Sequence, residues 1–148
     1  MDSPRRLAPD DPALPAVLDQ IREAFAYMDG VVDPPSSIHR LTLDDLRAGE
    51  VWALGDPPVA AMMLTVKGDA LYLGKLAVAA AHRGQGLSRR MVEAAVARAA
   101  ALGLSAVELQ TRVELTANQA AFTAMGFAET ARTAHPGYDR PTSITYRR

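Results

Sequence analysis

Residues 76–88 read LAVAAAHRGQGLS, and this stretch decides how the rest of the chain is interpreted. It predicts an apolar strand over 76–78, then a glycine-containing turn that opens directly onto a long amphipathic helix over 86–102. The first N–H groups of a helix have no intrahelical partner, and the helix dipole gives them partial positive charge. Because Gly84 and Gly86 have no Cβ, the turn can approach a ligand closely. The stretch therefore predicts a cradle for a pyrophosphate group.

Two common phosphate-binding motifs do not fit this turn. A P-loop ends in Gly-Lys-Ser/Thr, and residues 76–88 contain no lysine. A dinucleotide fingerprint needs a third glycine; Glu108 lies 22 residues after Gly86, near the expected acidic position, but the glycine pattern fails. The simpler alternative is a glycine turn that only starts a helix.

The flanking sequence predicts a mixed α+β fold. Gly30, Gly49, Gly103 and Gly126 end the helical patterns, and Gly68-Asp69 separates two apolar runs as in a hairpin. The order β-α-α-β-β-β-α-β-α-β-β predicts one twisted, mainly antiparallel sheet of about six to seven strands with about four helices. The predicted strands span 5–8, 51–54, 59–67, 70–78, 106–112, 127–133 and 143–147. The predicted helices start near Pro12 and span 43–48, 86–102 and 116–125, and 31–40 and 134–142 are predicted loops.

Composition excludes several classes of function. The chain has 148 residues, which predicts a single domain over 1–148, and it contains no cysteine and three histidines. Cysteine-ligated metals, disulfides and thiolate nucleophiles are therefore excluded, and no metal site is expected. The net charge of −1 argues against nucleic-acid or membrane partners. No signal peptide or membrane span is apparent, so we expect a cytoplasmic protein.

The motif and its surroundings resemble one known family. Arg83-Gly84-Gln85-Gly86-Leu87-Ser88 resembles the Arg/Gln-x-x-Gly-x-Gly/Ala acyl-CoA motif of the GNAT N-acetyltransferases. Residues 76–78 are similar to the fourth strand of that family. Residues 118–127, NQAAFTAMGF, resemble its last helix and the Gly-Phe that follows. The resemblance covers essentially the whole chain and implies the GNAT fold.

The resemblance implies a binding site for acetyl-CoA as the acyl donor. The pyrophosphate would be held by backbone N–H groups of the motif loop, and the pantetheine arm would lie along β-strand residues 76–78. The backbone N–H near Leu76 would polarise the thioester carbonyl, and Asn118 would contact the cofactor arm. The implied cofactor-binding residues are Leu76, Ala77, Val78, Arg83, Gly84, Gln85, Gly86, Leu87, Ser88 and Asn118.

The proton-transfer groups are less determined. Many members of the family have a tyrosine acid where this chain has Phe122. Tyr138, Tyr72 and Thr116 are the alternatives for that role. Glu108 is a candidate general base, with a solvated or ion-paired strand residue as the simpler interpretation, and His135 is a second candidate. Lys75 is interpreted as a solvated residue, with a phosphate or substrate carboxylate as its alternative partner.

Two loops are expected to bind the acceptor, which would be a primary amine on a small polar molecule or a peptide. The expected substrate-binding residues are Ser37, His39, Arg40, His135 and Tyr138. The main hypothesis is acetyl transfer by direct attack of the amine in a ternary complex. The alternative is a non-catalytic acyl-CoA-binding or sensing module, which Phe122 favours. An edge strand or the last hairpin offers a surface for a homodimer.

Overall fold

The computed structural model describes residues 3–148, which contain seven strands and four α-helices. The strands are β1 (Arg5–Leu7), β2 (Glu50–Leu54), β3 (Ala60–Lys67), β4 (Ala70–Val78), β5 (Ala106–Arg112), β6 (Ala128–Thr133) and β7 (Ser143–Arg147). The helices are α1 (Leu14–Phe25), α2 (Leu43–Ala48), α3 (Leu87–Ala101) and α4 (Thr116–Ala124).

All the described strands belong to one open sheet of order β1-β2-β3-β4-β5-β7-β6. Neighbours pair antiparallel except β4 and β5, which are parallel and connected by α3. Strand β7 returns between β5 and β6, so β1 and β6 form the two edges. The predicted mixed, mainly antiparallel sheet with its order of elements is confirmed.

Two hydrophobic cores lie on opposite faces of the sheet. Helix α3 presents Leu87, Met91, Val92, Ala95 and Ala99 to one core, which also receives Phe127 and Tyr146. Helix α1 presents Leu14, Val17, Leu18 and Ile21 to the other. Leucine at 102, which the helical pattern assigns to the same stripe, is 39% exposed because it caps the end of α3.

The segment between α1 and α2 is more ordered than the predicted loop. Helix α1 ends at Phe25 and continues as a 3-10 turn over Ala26–Met28, and a second 3-10 turn spans Ser37–Arg40. The Ile38 N–H donates to the Ser36 hydroxyl over 3.2 Å, and the Ile38 side chain is buried against α1. The Ser36 cap and the buried Ile38 side chain therefore order a segment that its proline and serine content predicted to be a loop.

None of the helices in residues 3–148 is both long enough and apolar enough to span a membrane.

Helix α3 is tied to β2 by a carboxylate. Glu50 Oε1 accepts hydrogen bonds from Arg98 Nε over 2.8 Å and from Trp52 Nε1 over 2.9 Å. Burial opposes the charged form of Glu50, but the hydrogen bonds from Arg98 and Trp52 outweigh it and hold the pKa below its ordinary value of 4.5. This carboxylate therefore stabilises the fold as an anion.

Replacing Glu50 with glutamine is expected to lower the free energy of unfolding by about 2 kcal/mol at pH 7. Because the folded pKa is depressed, the contribution is fully present above pH 4.5 and is lost as pH falls through the lower folded value. Denaturant unfolding of both proteins from pH 3 to pH 7 measures the difference. Glu129→Gln, which breaks the exposed pair with Arg132, should cost less than about 1 kcal/mol. A Glu50 difference that does not vary with pH would contradict this account.

Candidate active site

The sheet opens between its two parallel strands. Pairing of β4 with β5 runs from Ala70 opposite Ala106 to Tyr72 opposite Glu108 and then stops. Beyond Tyr72 the strands diverge, and residues 73–76 of β4 and 109–112 of β5 line a cavity of about 890 Å³. Helix α4 and the loops 34–37 and 135–138 complete its walls. The cavity is therefore bounded on two sides by strand edges that no longer pair with each other.

A β-bulge in β4 lies at the same level. Ala61 pairs with Ala77 but Met63 pairs with Gly74, so Lys75 and Leu76 together oppose Met62. Lys75 has φ +54°, a left-handed conformation that is costly for a residue with a side chain. Because one residue is inserted, the side-chain alternation changes phase along the strand. The bulge thus sets which residues of β4 face the cavity.

The loop after β4 has the form that the sequence predicted. Gly84 and Gly86 have φ of +78° and +74°, and no described atom lies within 4 Å of a Cβ built on either residue. Gly86 caps α3, and the first intrahelical hydrogen bond runs from Arg90 N–H to Gly86 O over 3.2 Å. The preceding N–H groups of the helix are therefore left for an outside acceptor. Residues 83–86 are exposed, and Ser88 reaches the cavity wall.

Contacts between distant segments cover the cavity, and we call the contacting residues Tyr27, Asp33, Asn118, Tyr138 and Arg140 its roof. The Tyr138 hydroxyl donates to Asp33 Oδ1 over 2.6 Å, and Arg140 Nη2 donates to Asp33 Oδ2 over 3.0 Å. Asn118 Nδ2 donates to the Tyr27 hydroxyl over 3.0 Å. These contacts join the segment after α1 to α4 and to the β6–β7 loop, so both predicted acceptor loops meet over one cavity.

His135 lines the cavity as a neutral imidazole. Its Nε2 lies 3.5 Å from Arg112 Nη1, which can only donate, and its Nδ1 contacts Thr142 Oγ1. Nε2 therefore accepts, and Nδ1 carries the proton. Burial, followed by the positive charge of Arg112, lowers the pKa of His135 from its usual value. At neutral pH the Nε2 lone pair therefore accepts the long hydrogen bond from Arg112.

Most of the predicted site residues are brought together. Those that line the cavity are Leu76, Ser88, Asn118, Ser37, Arg40, His135 and Tyr138. Residues 83–87 form the adjoining loop and helix start. Ala77 and Val78 pack into the two cores on opposite faces of the sheet, so only their backbone is available to a ligand.

The structure gives two predicted residues a different placement. Glu108 lies on the part of β5 that still pairs with β4, and its carboxylate is 3.7 Å from Lys67 and 4.0 Å from Arg147. His39 is exposed and its imidazole lies 2.8 Å from Asp29. Neither residue lines the cavity, because Glu108 precedes the divergence and His39 points away from it to Asp29. The ion-paired interpretation of Glu108 is the one that the geometry supports.

Sequence reasoning did not single out Tyr27 and Arg112, and it interpreted Lys75 as solvated; all three line the cavity. Arg112 could have been found from its place at the carboxyl end of a parallel strand, where ligands commonly bind in such sheets. Tyr27 carried no signal, because it lies in a helix-terminal turn whose partner Asn118 is 91 residues away. Lys75 reaches the cavity because of the bulge, which the strand pattern does not predict.

The sequence matches one family of known proteins. A model of the acetyltransferase (GNAT) family matches residues 15–127, which span β2 to β5 and the whole cradle. The chain belongs to the GNAT acetyltransferase family. Transfer of an acyl group from an acyl-CoA is the general activity of that family, so an acyl-CoA is the expected donor of this GNAT protein. No protein of curated function matches the sequence significantly.

Solved structures of this fold match nearly the whole chain. An acetyltransferase from Streptococcus agalactiae is 16% identical with a TM-score of 0.75, covering 98% of this chain and 96% of its own. The ribosomal-protein-S18-alanine N-acetyltransferase of Escherichia coli is 22% identical with a TM-score of 0.73, covering 99% and 92%. A Bacillus subtilis acetyltransferase in complex with CoA is 16% identical with a TM-score of 0.69, covering 98% and 96%. At these identities the likeness shows the GNAT fold.

The cradle of this GNAT protein fits coenzyme A on its own geometry. The space above Gly84 and Gly86, which a side chain would fill, adjoins helix N–H groups and the exposed Arg83. A pyrophosphate matches this donor set because its oxygens are charged acceptors. In residues 3–148 no group of three or more histidine, aspartate or glutamate side chains is arranged to hold a metal ion.

Proposed function

We propose that residues 1–148 form a single cytoplasmic N-acetyltransferase domain that moves an acetyl group from acetyl-CoA to a primary amine of a small polar acceptor. The observation that carries the proposal is the cavity at the divergence of β4 and β5, with the glycine loop at one end and two polar loops at the other. This arrangement suits a donor and an acceptor that meet inside the sheet. Because the chain has no cysteine to hold the acyl group, the amine attacks directly.

The donor end is made mostly of backbone. The N–H groups of residues 83–88 hold the pyrophosphate, and the edge of β4 at residues 76–78, beyond the point where pairing with β5 stops, receives the arm between the strands. Bound acetyl-CoA supplies the thioester that the amine attacks. The backbone N–H near Leu76, beside the bulge, donates to the oxygen that gains negative charge during attack. Asn118, on the opposite wall, positions the arm.

His135 is the general base of this proposal. A primary amine is mostly protonated at neutral pH and must lose a proton before it attacks. His135 lines the cavity with a lowered pKa, whereas Glu108 lies outside the cavity. The acceptor ammonium replaces Arg112 Nη1 as the donor to Nε2, which then takes up the proton, and the Thr142 hydroxyl at Nδ1 keeps the imidazole oriented.

The leaving thiolate needs no dedicated acid. Phe122 stands on α4 beside the cavity and packs edge-on against Phe127 with ring centroids 6.0 Å apart. The hydrogen bond to Asp33 raises the pKa of Tyr138, so this hydroxyl keeps its proton at neutral pH. A thiol with a pKa of about 8.5 leaves as the thiolate at little cost. We therefore assign Tyr138 to holding the roof in place.

The alternative function, a non-catalytic acyl-CoA-binding module, is favoured only by Phe122. Release of free thiol from acetyl-CoA with a panel of primary amines separates the two. The enzyme is expected to release thiol at least about 100-fold faster with its best amine than with buffer alone. Calorimetry on the same preparation reports coenzyme A binding independently. Binding of coenzyme A without amine-dependent turnover at any pH from 6 to 9 would support the binding module and overturn the enzyme.

A further inference from the structure

The charge on the cavity wall is one-sided. Among residues 3–148, the charged side chains that line it are Arg40, Lys75 and Arg112, and no aspartate or glutamate lines it. The whole chain has a net charge of −1, so a local excess of cations is not a reflection of composition. The acceptor half of the cavity therefore has a positive potential.

The cations on the cavity wall have no carboxylate within 4.0 Å among the described residues, whereas most other arginines do. Within the described part of the chain, eight arginines lie within 4.0 Å of an aspartate or glutamate oxygen. The side chains of Arg40 and Lys75 make no hydrogen bond and no ion pair within 4.0 Å among residues 3–148, although the charge of Asp45 acts on Lys75 from farther away. Arg112 contacts His135 through Nη1, while its Nε and Nη2 are buried without a partner among the described residues.

Unpaired buried donors are costly and call for an acceptor. Glu114, two residues beyond Arg112, is a competing anion: its Oε2 accepts from the Asp33 N–H over 3.0 Å and its Oε1 is buried without a hydrogen-bond partner, but no Arg112–Glu114 ion pair forms within 4.0 Å. Asp33 itself is already bound by Tyr138 and Arg140. The anionic pyrophosphate of the donor is assigned to residues 83–88, and the arm that enters between the strands is uncharged. Within the described residues no carboxylate contacts these cations directly, and the donor places no anion beside them.

We propose that the acceptor is an amine that also carries an oxyanion, a carboxylate or a phosphate, bound by Arg112, Lys75 and Arg40. This inference rests on the proposed function and names the substrate class of the same cavity. The planar guanidinium of Arg112 matches two oxyanion oxygens, and Lys75 adds a point charge. The same positive potential lowers the pKa of the acceptor ammonium, which favours the reactive neutral amine. A simple cationic amine would lack the compensating contact.

Matched pairs of acceptors test the proposal. Twenty amino acids are compared with their carboxamides, and phosphoethanolamine with ethanolamine, by kcat/KM for thiol release. The best oxyanion-bearing amine is expected to exceed its neutral counterpart by about 30-fold, the effect of a hydrogen-bonded ion pair. The carboxylate and phosphate arms identify which oxyanion is used. Neutral counterparts that perform equally well would overturn this inference alone, and no turnover with any amine would overturn it together with the proposed function.

Variants locate the oxyanion site. Arg112→Gln and Lys75→Gln should each reduce the ratio of kcat/KM for the oxyanion-bearing amine to that for its neutral counterpart by about 10-fold, mainly through KM. The ratio is the readout because Arg112 also contacts the proposed base His135, so its loss changes the absolute rates of both acceptors. Arg132→Gln on β6 is the matched control, since its partner is the exposed Glu129 and it lies outside the cavity. Unfolding midpoints and coenzyme A affinity are measured for each variant to show that it is folded. A preference that survives both cavity substitutions in folded protein would overturn the assignment.

Discussion

Replacing Gly86 with glutamine is expected to weaken coenzyme A binding by about 100-fold, which corresponds to about 2.7 kcal/mol. The new side chain enters the open space above the loop, where no described atom lies within 4 Å of its Cβ. That space is assigned to the pyrophosphate, so the substitution removes charge-assisted hydrogen bonds from the N–H groups at the start of α3. Calorimetric titration of coenzyme A into both proteins measures the effect.

The chain offers a matched control at the other end of the same helix. Gly103 has φ +72°, against +74° for Gly86, and again no described atom lies within 4 Å of a built Cβ. Glutamine at either position must adopt the same left-handed conformation, which costs about 1 kcal/mol, so both variants should lose similar stability. Only Gly86→Gln should lose affinity. Equal affinities in the two variants would mean that this loop does not hold the pyrophosphate.

The sequence predicts those parts of the site that are made by neighbours along the chain. A strand, a turn and a helix start lie within residues 76–88, and each is specified by local chemistry: apolar alternation, residues with φ above zero, and free helix N–H groups. The order of elements follows from periodicity for the same reason. The fold and the glycine turn that begins α3 therefore follow from local sequence.

The acceptor half of the cavity was less accessible because long-range contacts build it. Asp33 meets Tyr138 across 105 residues, and Asn118 meets Tyr27 across 91. Glu108 and Arg112 are four residues apart on β5, so their side chains lie on the same face of the strand. Only Arg112 lies beyond the point where β4 stops pairing with β5. The alternation of β5 does not reveal where its neighbour diverges, so the sequence alone does not distinguish Glu108 from Arg112 as a residue of the cavity wall.

The bulge at Lys75 has the same character. The bulge is a shift in register between β3 and β4, which is a tertiary property. The local sequence alone predicts an uninterrupted strand over 70–78. The bulge places Lys75 on the cavity wall, three residues beyond the last pair between β4 and β5. One backbone irregularity thus connects the donor arm, which follows β4, with the cationic acceptor wall.

Replacing Gly74 with leucine is expected to lower kcat/KM for the amine by about 100-fold while coenzyme A affinity changes less than about 3-fold. Gly74 lies on β4 just beyond the divergence, on the cavity wall, and a Cβ there meets the Tyr72 ring at 3.3 Å. The leucine side chain therefore extends past Tyr72 into the half of the cavity assigned to the acceptor. The backbone of Gly74 is not left-handed, so the substitution adds no backbone strain, and only the Tyr72 ring must shift.

A graded pair makes this prediction specific. Gly74→Ala adds only the Cβ, which the Tyr72 ring accommodates by moving a few tenths of an ångström, and should keep most of the wild-type turnover. Steady-state kinetics at saturating acetyl-CoA and calorimetry with coenzyme A separate the two halves of the cavity. Loss of coenzyme A affinity in Gly74→Leu would place the donor arm over Gly74. Full turnover would show that the acceptor enters elsewhere. We expect Gly74→Leu to lose turnover alone and Gly86→Gln to lose donor binding. Together these results would divide the cavity at the bulge into an acceptor half and a donor half.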